Sequence, residues 1–286
     1  MLPHIAARVF NTPLMIHPAK AEVIAQSLSD RLGIAGVAQA NGQTFALADF
    51  AKAADSSTQL DRIGPVAVIE VRGTLVQRTG SLHPYSGMTG YDGLREQLDR
   101  ALHDPNVKAI AFDIDSPGGE VAGCFDLVDA IFEARGLKPM WAILDESAYS
   151  AAYAIASACD TITLPRTGGA GSIGVITMHA DFSRAIANAG VNVSVITHGA
   201  KKGDGMAELP LSGTARATIQ AQIDALGELF VETVARNRSL APGKVRALQA
   251  GTFLGAQAIE IGLVDSLAPP DQALSALLDT FSTSGD

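Results

Sequence analysis

Apolar residues along this chain fall into short β-branched runs, separated by stretches in which they recur every three to four positions. The first run is Val66-Ala67-Val68-Ile69-Glu70-Val71, closed by Arg72-Gly73. Others are Ala109 to Ile114, Trp141 to Leu144, Thr161 to Leu164, Ile173 to Thr177 and Val193 to Ile196. Runs of this length and composition predict strands. Val121, Cys124, Leu127, Val128, Ile131 and Phe132 share one face of a predicted helix, and Ser212 is placed to cap a longer one carrying Ile219, Ile223, Leu226, Phe230 and Val234. Strands alternating with helices predict an α/β core with a largely parallel sheet.

The flanks read differently. Residues 1–60 form a predicted N-terminal arm, with a helical pattern from Ala19 to Leu32 and a polar stretch from Lys52 to Asp61. The core domain is expected over 61–270, and residues 271–286 as a flexible tail that frays.

Composition narrows the function classes. The 286 residues are 47% hydrophobic and 18% charged, enough apolar material for a sizeable core. A net charge of −9 argues against a general affinity for nucleic acid or anionic membranes. No apolar run approaches the roughly 18 residues a membrane span requires, and the N-terminus lacks a signal-peptide pattern. The two cysteines, Cys124 and Cys159, lie in apolar runs and read as reduced core thiols, and no histidine pair has zinc spacing. Neither metal nor cofactor is expected, and a soluble, reducing compartment is.

The candidate chemistry is acyl transfer. Asp115-Ser116-Pro117-Gly118-Gly119 follows one predicted strand and precedes a predicted helix, a place where a turn can aim backbone N–H groups at an oxyanion. Ser150 opens the small-residue helix Ala151 to Cys159, and the Ala151 N–H is a second candidate donor. Ser147 competes with Ser150 as nucleophile. A serine needs a base, and Lys202 lies 52 residues on, in a Gly-rich loop where burial would favour its neutral form. Lys201 is its neighbour and rival. His179, which Asp181 could orient, and His198 are alternative bases, because triads occur in several chain orders.

At these residues the chain resembles the signal peptide peptidase A family of serine peptidases. Within that family it is most similar to the head maturation proteases of lambda-like tailed phages, over roughly residues 1–270. The similarity is carried by Leu2-Pro3-His4-Ile5-Ala6, Asn11-Thr12-Pro13-Leu14-Met15, Gly73-Thr74-Leu75-Val76 and Pro84-Tyr85-Ser86-Gly87-Met88-Thr89-Gly90-Tyr91. It continues through Asp115 to Gly119, Gly171-Ser172-Ile173-Gly174-Val175 and Ala258 to Asp265.

The resemblance implies a Clp/crotonase-like fold and a Ser-Lys dyad. Ser150 corresponds to the nucleophile. Gly199-Ala200-Lys201-Lys202 fits the family's G-x-x-K pattern with Lys202 as base, which leaves His179 a bystander. Gly118 and Gly119 correspond to the oxyanion turn. It further implies a homo-oligomer, with the arm and the helix after Ser212 as subunit contacts. The implied substrates are scaffold, portal or capsid proteins, in the host cytoplasm or the prohead. Signal peptide peptidases place Gly-Gly after the serine where this chain has Ala151-Ala152; some phage homologues continue into a scaffolding segment, which the resemblance implies is here either supplied from elsewhere or removed from the C-terminus. The alternatives are a soluble bacterial signal-peptide-degrading peptidase, a catalytically vestigial capsid assembly protein, and a crotonase-type acyl-CoA enzyme.

Overall fold

The computed structural model describes residues 8–29, 60–78 and 87–282. Leu2 to Ala6, most of the polar stretch before Asp61, and Pro84 to Ser86 lie outside the described residues. In chain order the elements are β1 (Leu14–Ile16), α1 (Pro18–Ser29), β2 (Asp61–Ile63), β3 (Val66–Val76), β4 (Met88–Gly90), α2 (Tyr91–His103) and β5 (Ala109–Glu120). Then come α3 (Cys124–Glu133), β6 (Met140–Tyr149), α4 (Ala151–Ser157), β7 (Thr161–Leu164), β8 (Gly169–Gly171) and α5 (Ser183–Asn188). The chain closes with α6 (Gly213–Asn237), α7 (Pro242–Arg246), β9 (Thr252–Leu254), α8 (Gly255–Glu260), β10 (Ser266–Leu267) and α9 (Pro270–Ser282).

One mixed sheet runs in the order β10-β7-β6-β5-β3-β2. From β10 to β3 every neighbouring pair is parallel, and β2 adds antiparallel at the edge. Parallel strands are stable when both faces are covered, which is why they read as nearly continuous apolar runs. One face carries Ile69, Val71, Ile110, Phe112, Ile114 and Leu144, all buried against α2, α3 and α4. Burying each such side chain contributes about 1.5–3 kcal/mol. The other face carries Val66, Ala109, Ala111 and Ile143, covered by Ala273 and Leu277 of α9. Residues 271–282 are therefore a packed helix and not a fraying tail: its apolar face closes the second layer.

The expected strands at Val66, Ala109, Trp141 and Thr161 all form, and Ser212 caps α6 by accepting from the Ala215 N–H at 3.0 Å. Two expected strands do not. Ile173 to Thr177 makes only an isolated bridge, and Val193 to Ile196 is irregular and exposed, with Ile196 96% accessible. Ile173 to Thr177 meets β1 only at the Leu14–Ile176 bridge, too short a pairing for a ladder, and Val193 to Ile196 pairs with no strand among the described residues. The N-terminal arm, by contrast, contributes to the sheet. Leu14, Met15 and Ile16 pair antiparallel with Glu120, Gly119 and Gly118.

Candidate active site

The Asp115 to Gly119 segment is not the strand-to-helix turn its composition predicts. β5 continues through it to Glu120, and α3 begins only at Cys124, after Gly123. The register of β5 shifts between Ile114 and Ser116 against β6, and between Arg72 and Thr74 against β3. This irregularity lets β5 run on past the point where β6 turns away into α4.

Ser150 sits at that turn. Its backbone has φ 56° and ψ −118°, a region sparsely occupied by residues with a Cβ and costing about 1–3 kcal/mol. The surrounding bonds hold it there. Its N–H donates to Gly171 O at 2.8 Å, and its carbonyl accepts from the Ala154 N–H at 3.0 Å. The hydroxyl does not cap α4; it reaches Gly174 O at 3.5 Å. A serine in cap position that gives its side chain to something else is free to be a nucleophile. The residue is wholly buried.

Gly118 stands beside it. With φ 97°, it occupies backbone space that L side chains rarely enter. A Cβ there would meet Met15 O at 2.2 Å, Tyr149 O at 2.9 Å and Ala151 N at 3.0 Å. The glycine and the first N–H of α4, which has no acceptor within the helix, are thus brought together. The Gly118 N–H donates to Ser116 Oγ at 3.1 Å, and that hydroxyl donates to Gly73 O at 2.6 Å. Gly119 is turned toward β3, where a Cβ would lie 1.8 Å from Leu75 O. Its smallness serves the sheet contact.

The candidate bases are elsewhere. Lys202 is exposed in the loop before α6, and no hydrogen bond links it to Ser150. Lys201 and His198 are exposed in the same loop. His179 Nδ1 pairs with Asn11 Oδ1 at 3.0 Å, while its buried Nε2 has no hydrogen-bond partner. Asp181 accepts from the Ser183 N–H at 2.9 Å, and its bonds to Ser183 hold its carboxyl below the usual range. Ser147 lies within β6, its hydroxyl donating to Asp115 Oδ1 at 3.0 Å.

The thiols are buried. Desolvation pushes Cys124 up to about 12 and Cys159 higher still, so both stay protonated and unreactive at neutral pH. Among the described residues no group of three or more His, Cys, Asp or Glu is placed to hold a metal ion, and no helix is long and apolar enough to cross a membrane.

Two features at the site had little signal in the sequence. His17 packs its ring on Tyr149 at 5.0 Å, and β1 lies directly against Gly118. The apolar triplet Leu14-Met15-Ile16 is too short to predict a strand alone; Pro13 and Pro18, which bracket it, were the available hint.

Residues 133–281 match peptidase family S49. The chain is 37% identical to the capsid assembly protease C of Escherichia phage lambda over 98% of its length, covering 66% of that protein. It is 36% identical to the head-tail preconnector protein GP5 of Enterobacteria phage P21 over 99% of its length, covering 58% of that protein. Protease 4 of Haemophilus influenzae is 27% identical over 73% of this chain and 34% of its own. The chain thus spans less than two thirds of the length of these curated relatives.

Proposed function

The chain belongs to peptidase family S49, and from that premise we propose that it is a serine endopeptidase in which Ser150 attacks and Lys202 is the general base. The observation that carries this reading is the strained, buried Ser150, whose hydroxyl is not used as a helix cap, set beside Gly118 and the free first N–H of α4.

In the proposed mechanism neutral Lys202 takes the Ser150 proton as Oγ attacks the scissile carbonyl carbon. The Ala151 N–H, with that of Gly118 or Gly119, receives the developing oxyanion; for Gly118 this requires release from Ser116 Oγ. Lys202 then protonates the leaving amine, and water guided by the same lysine hydrolyses the acyl ester. Because Lys202 is exposed here, the loop that carries it must fold over the site before chemistry begins.

The proposed substrates are scaffold, portal or capsid proteins of a phage head, on the strength of the two phage relatives. Assembly into a homo-oligomer accords with the exposed Val191, Val193 and Ile196 of that loop, which a neighbouring copy would cover.

The test is labelling by a fluorophosphonate probe, alone and with a peptide library as competitor, in the wild type, Ser150→Ala and Lys202→Ala. Labelling of the wild type and its loss in both variants is expected. Undiminished labelling in either variant overturns the assignment of that residue.

A further inference from the structure

β5 and β6 run side by side as far as Ser116 and Ala148, and β6 then turns into α4 at Ser150. Past that point β5 continues without β6, still paired with β3 through Gly119, and on the side that β6 has left the chain leaving β8 runs from Ser172 to Ile176. Between them is a slot one strand wide with Ser150 at its end, and β1 fills it. On one edge Leu14, Met15 and Ile16 face Glu120, Gly119 and Gly118, and the His17 N–H donates to Pro117 O at 2.8 Å. On the other edge the Leu14 N–H donates to Ile176 O at 2.8 Å, and the Leu14 carbonyl accepts from the Ile176 N–H at 2.9 Å. A peptide laid across the candidate nucleophile would use these same edges, because both offer main-chain donors and acceptors to any extended segment.

The position of Met15 is informative. Its carbonyl oxygen lies against Gly118, on the side that also faces the Ala151 nitrogen. Its side chain is fully buried in the main core, whereas Leu14 and Ile16 point the other way into a small cluster with Ala21, Ile24 and Ile176. One carbonyl therefore stands beside the proposed oxyanion donors, without a hydrogen bond from the Ala151 or Gly118 N–H, and one unbranched apolar side chain is buried next to it.

Resting on the peptidase reading above, we propose that β1 is an internal occupant of the substrate groove. It blocks Ser150 until an extended segment with an apolar, unbranched side chain at the Met15 position displaces it. Lys202 is exposed and makes no hydrogen bond to Ser150, so in this arrangement the strand blocks without being consumed. As part of the same chain, β1 competes intramolecularly with any free peptide.

A reversible staple tests this. Leu14 and Ile176 exchange two main-chain hydrogen bonds, which places their Cα atoms about 5.5 Å apart, within disulfide reach. In the double variant Leu14→Cys/Ile176→Cys, fluorophosphonate labelling and hydrolysis of a peptide containing Leu-Met-Ile are compared before and after reduction. The oxidised form is expected to be at least about tenfold slower and to recover on reduction; equal rates overturn the proposal. If neither form labels, the peptidase reading has failed, and a second measurement decides the occupancy. In Leu14→Cys alone, alkylation of the introduced thiol by iodoacetamide is followed with and without a synthetic peptide copying residues 12–17. Acceleration by the peptide shows the strand being displaced. A thiol as slow as Cys124 and Cys159 at every peptide concentration shows that β1 is a fixed part of the core.

Discussion

Gly118 and Ala151 are so close that a Cβ on the glycine would stand 3.0 Å from the Ala151 nitrogen. They are far apart in the chain and belong to different elements, yet together they outline the space where a reacting carbonyl would sit. The substitution Gly118→Ala introduces that Cβ, with a worse collision against Met15 O, in a backbone conformation that alanine resists. Loss of probe labelling by at least about 100-fold is expected, with destabilisation of more than about 2 kcal/mol by chemical denaturation. An active, wild-type-stable Gly118→Ala would show that the site does not depend on this contact.

The strain at Ser150 separates stability from function. Ser150→Ala and Ser150→Gly both abolish labelling under the proposed mechanism, but only glycine relieves φ 56°. Ser150→Gly is expected to be more stable than Ser150→Ala by about 1 kcal/mol. Calorimetry on the two variants, which lack the hydroxyl equally, reads that difference directly.

At the other end of α4, Arg135 holds the carbonyls that the helix leaves unpaired. It donates to Ser157 O at 2.9 Å, Ala158 O at 2.8 Å and Cys159 O at 2.5 Å, and to Asn237 O at 3.2 Å. Arg135→Ala orphans these acceptors and is expected to cost about 3 kcal/mol in urea denaturation. Lysine should recover less than half, since a single ammonium cannot reproduce the fork.

Alkaline pH should unfold the protein through its core thiols. Burial raises Cys124 from an ordinary value near 9 to about 12. Between these values the unfolded thiol is ionised and the folded one is not, so the folded state binds more protons and loses stability as pH rises. This contribution is intact below pH 9 and amounts to a loss of about 4 kcal/mol by pH 12. Denaturation midpoints measured from pH 8 to 11 should fall, and fall less steeply in Cys124→Ala.

Much of the architecture was legible because it is local. The runs at Val66, Ala109 and Trp141 are apolar on both sides, which identifies strands buried between two layers, and the helical spacing from Val121 to Phe132 defines one face of α3. The same reasoning failed at Val193 to Ile196, whose composition suits a strand but which pairs with none among the described residues. It failed at 271–282 too, where the polar residues suggested a free end although Ala273 and Leu277 cover a sheet face.

The sequence by itself determined the chemical types present and their local settings: a serine at the start of a small-residue helix, a Gly-Gly pair at the end of a strand, and lysines in a glycine-rich loop. Their relative placement was decided only by the tertiary structure. Pairing across the sheet sets Gly118 against Ala151 and threads β1 between two edges, because hydrogen-bond register joins segments whose separation along the chain leaves no periodic trace. It also leaves Ser150 buried and Lys202 in solvent. No spacing in the sequence reports that separation, since it depends on which surfaces the loop before α6 finds to pack against.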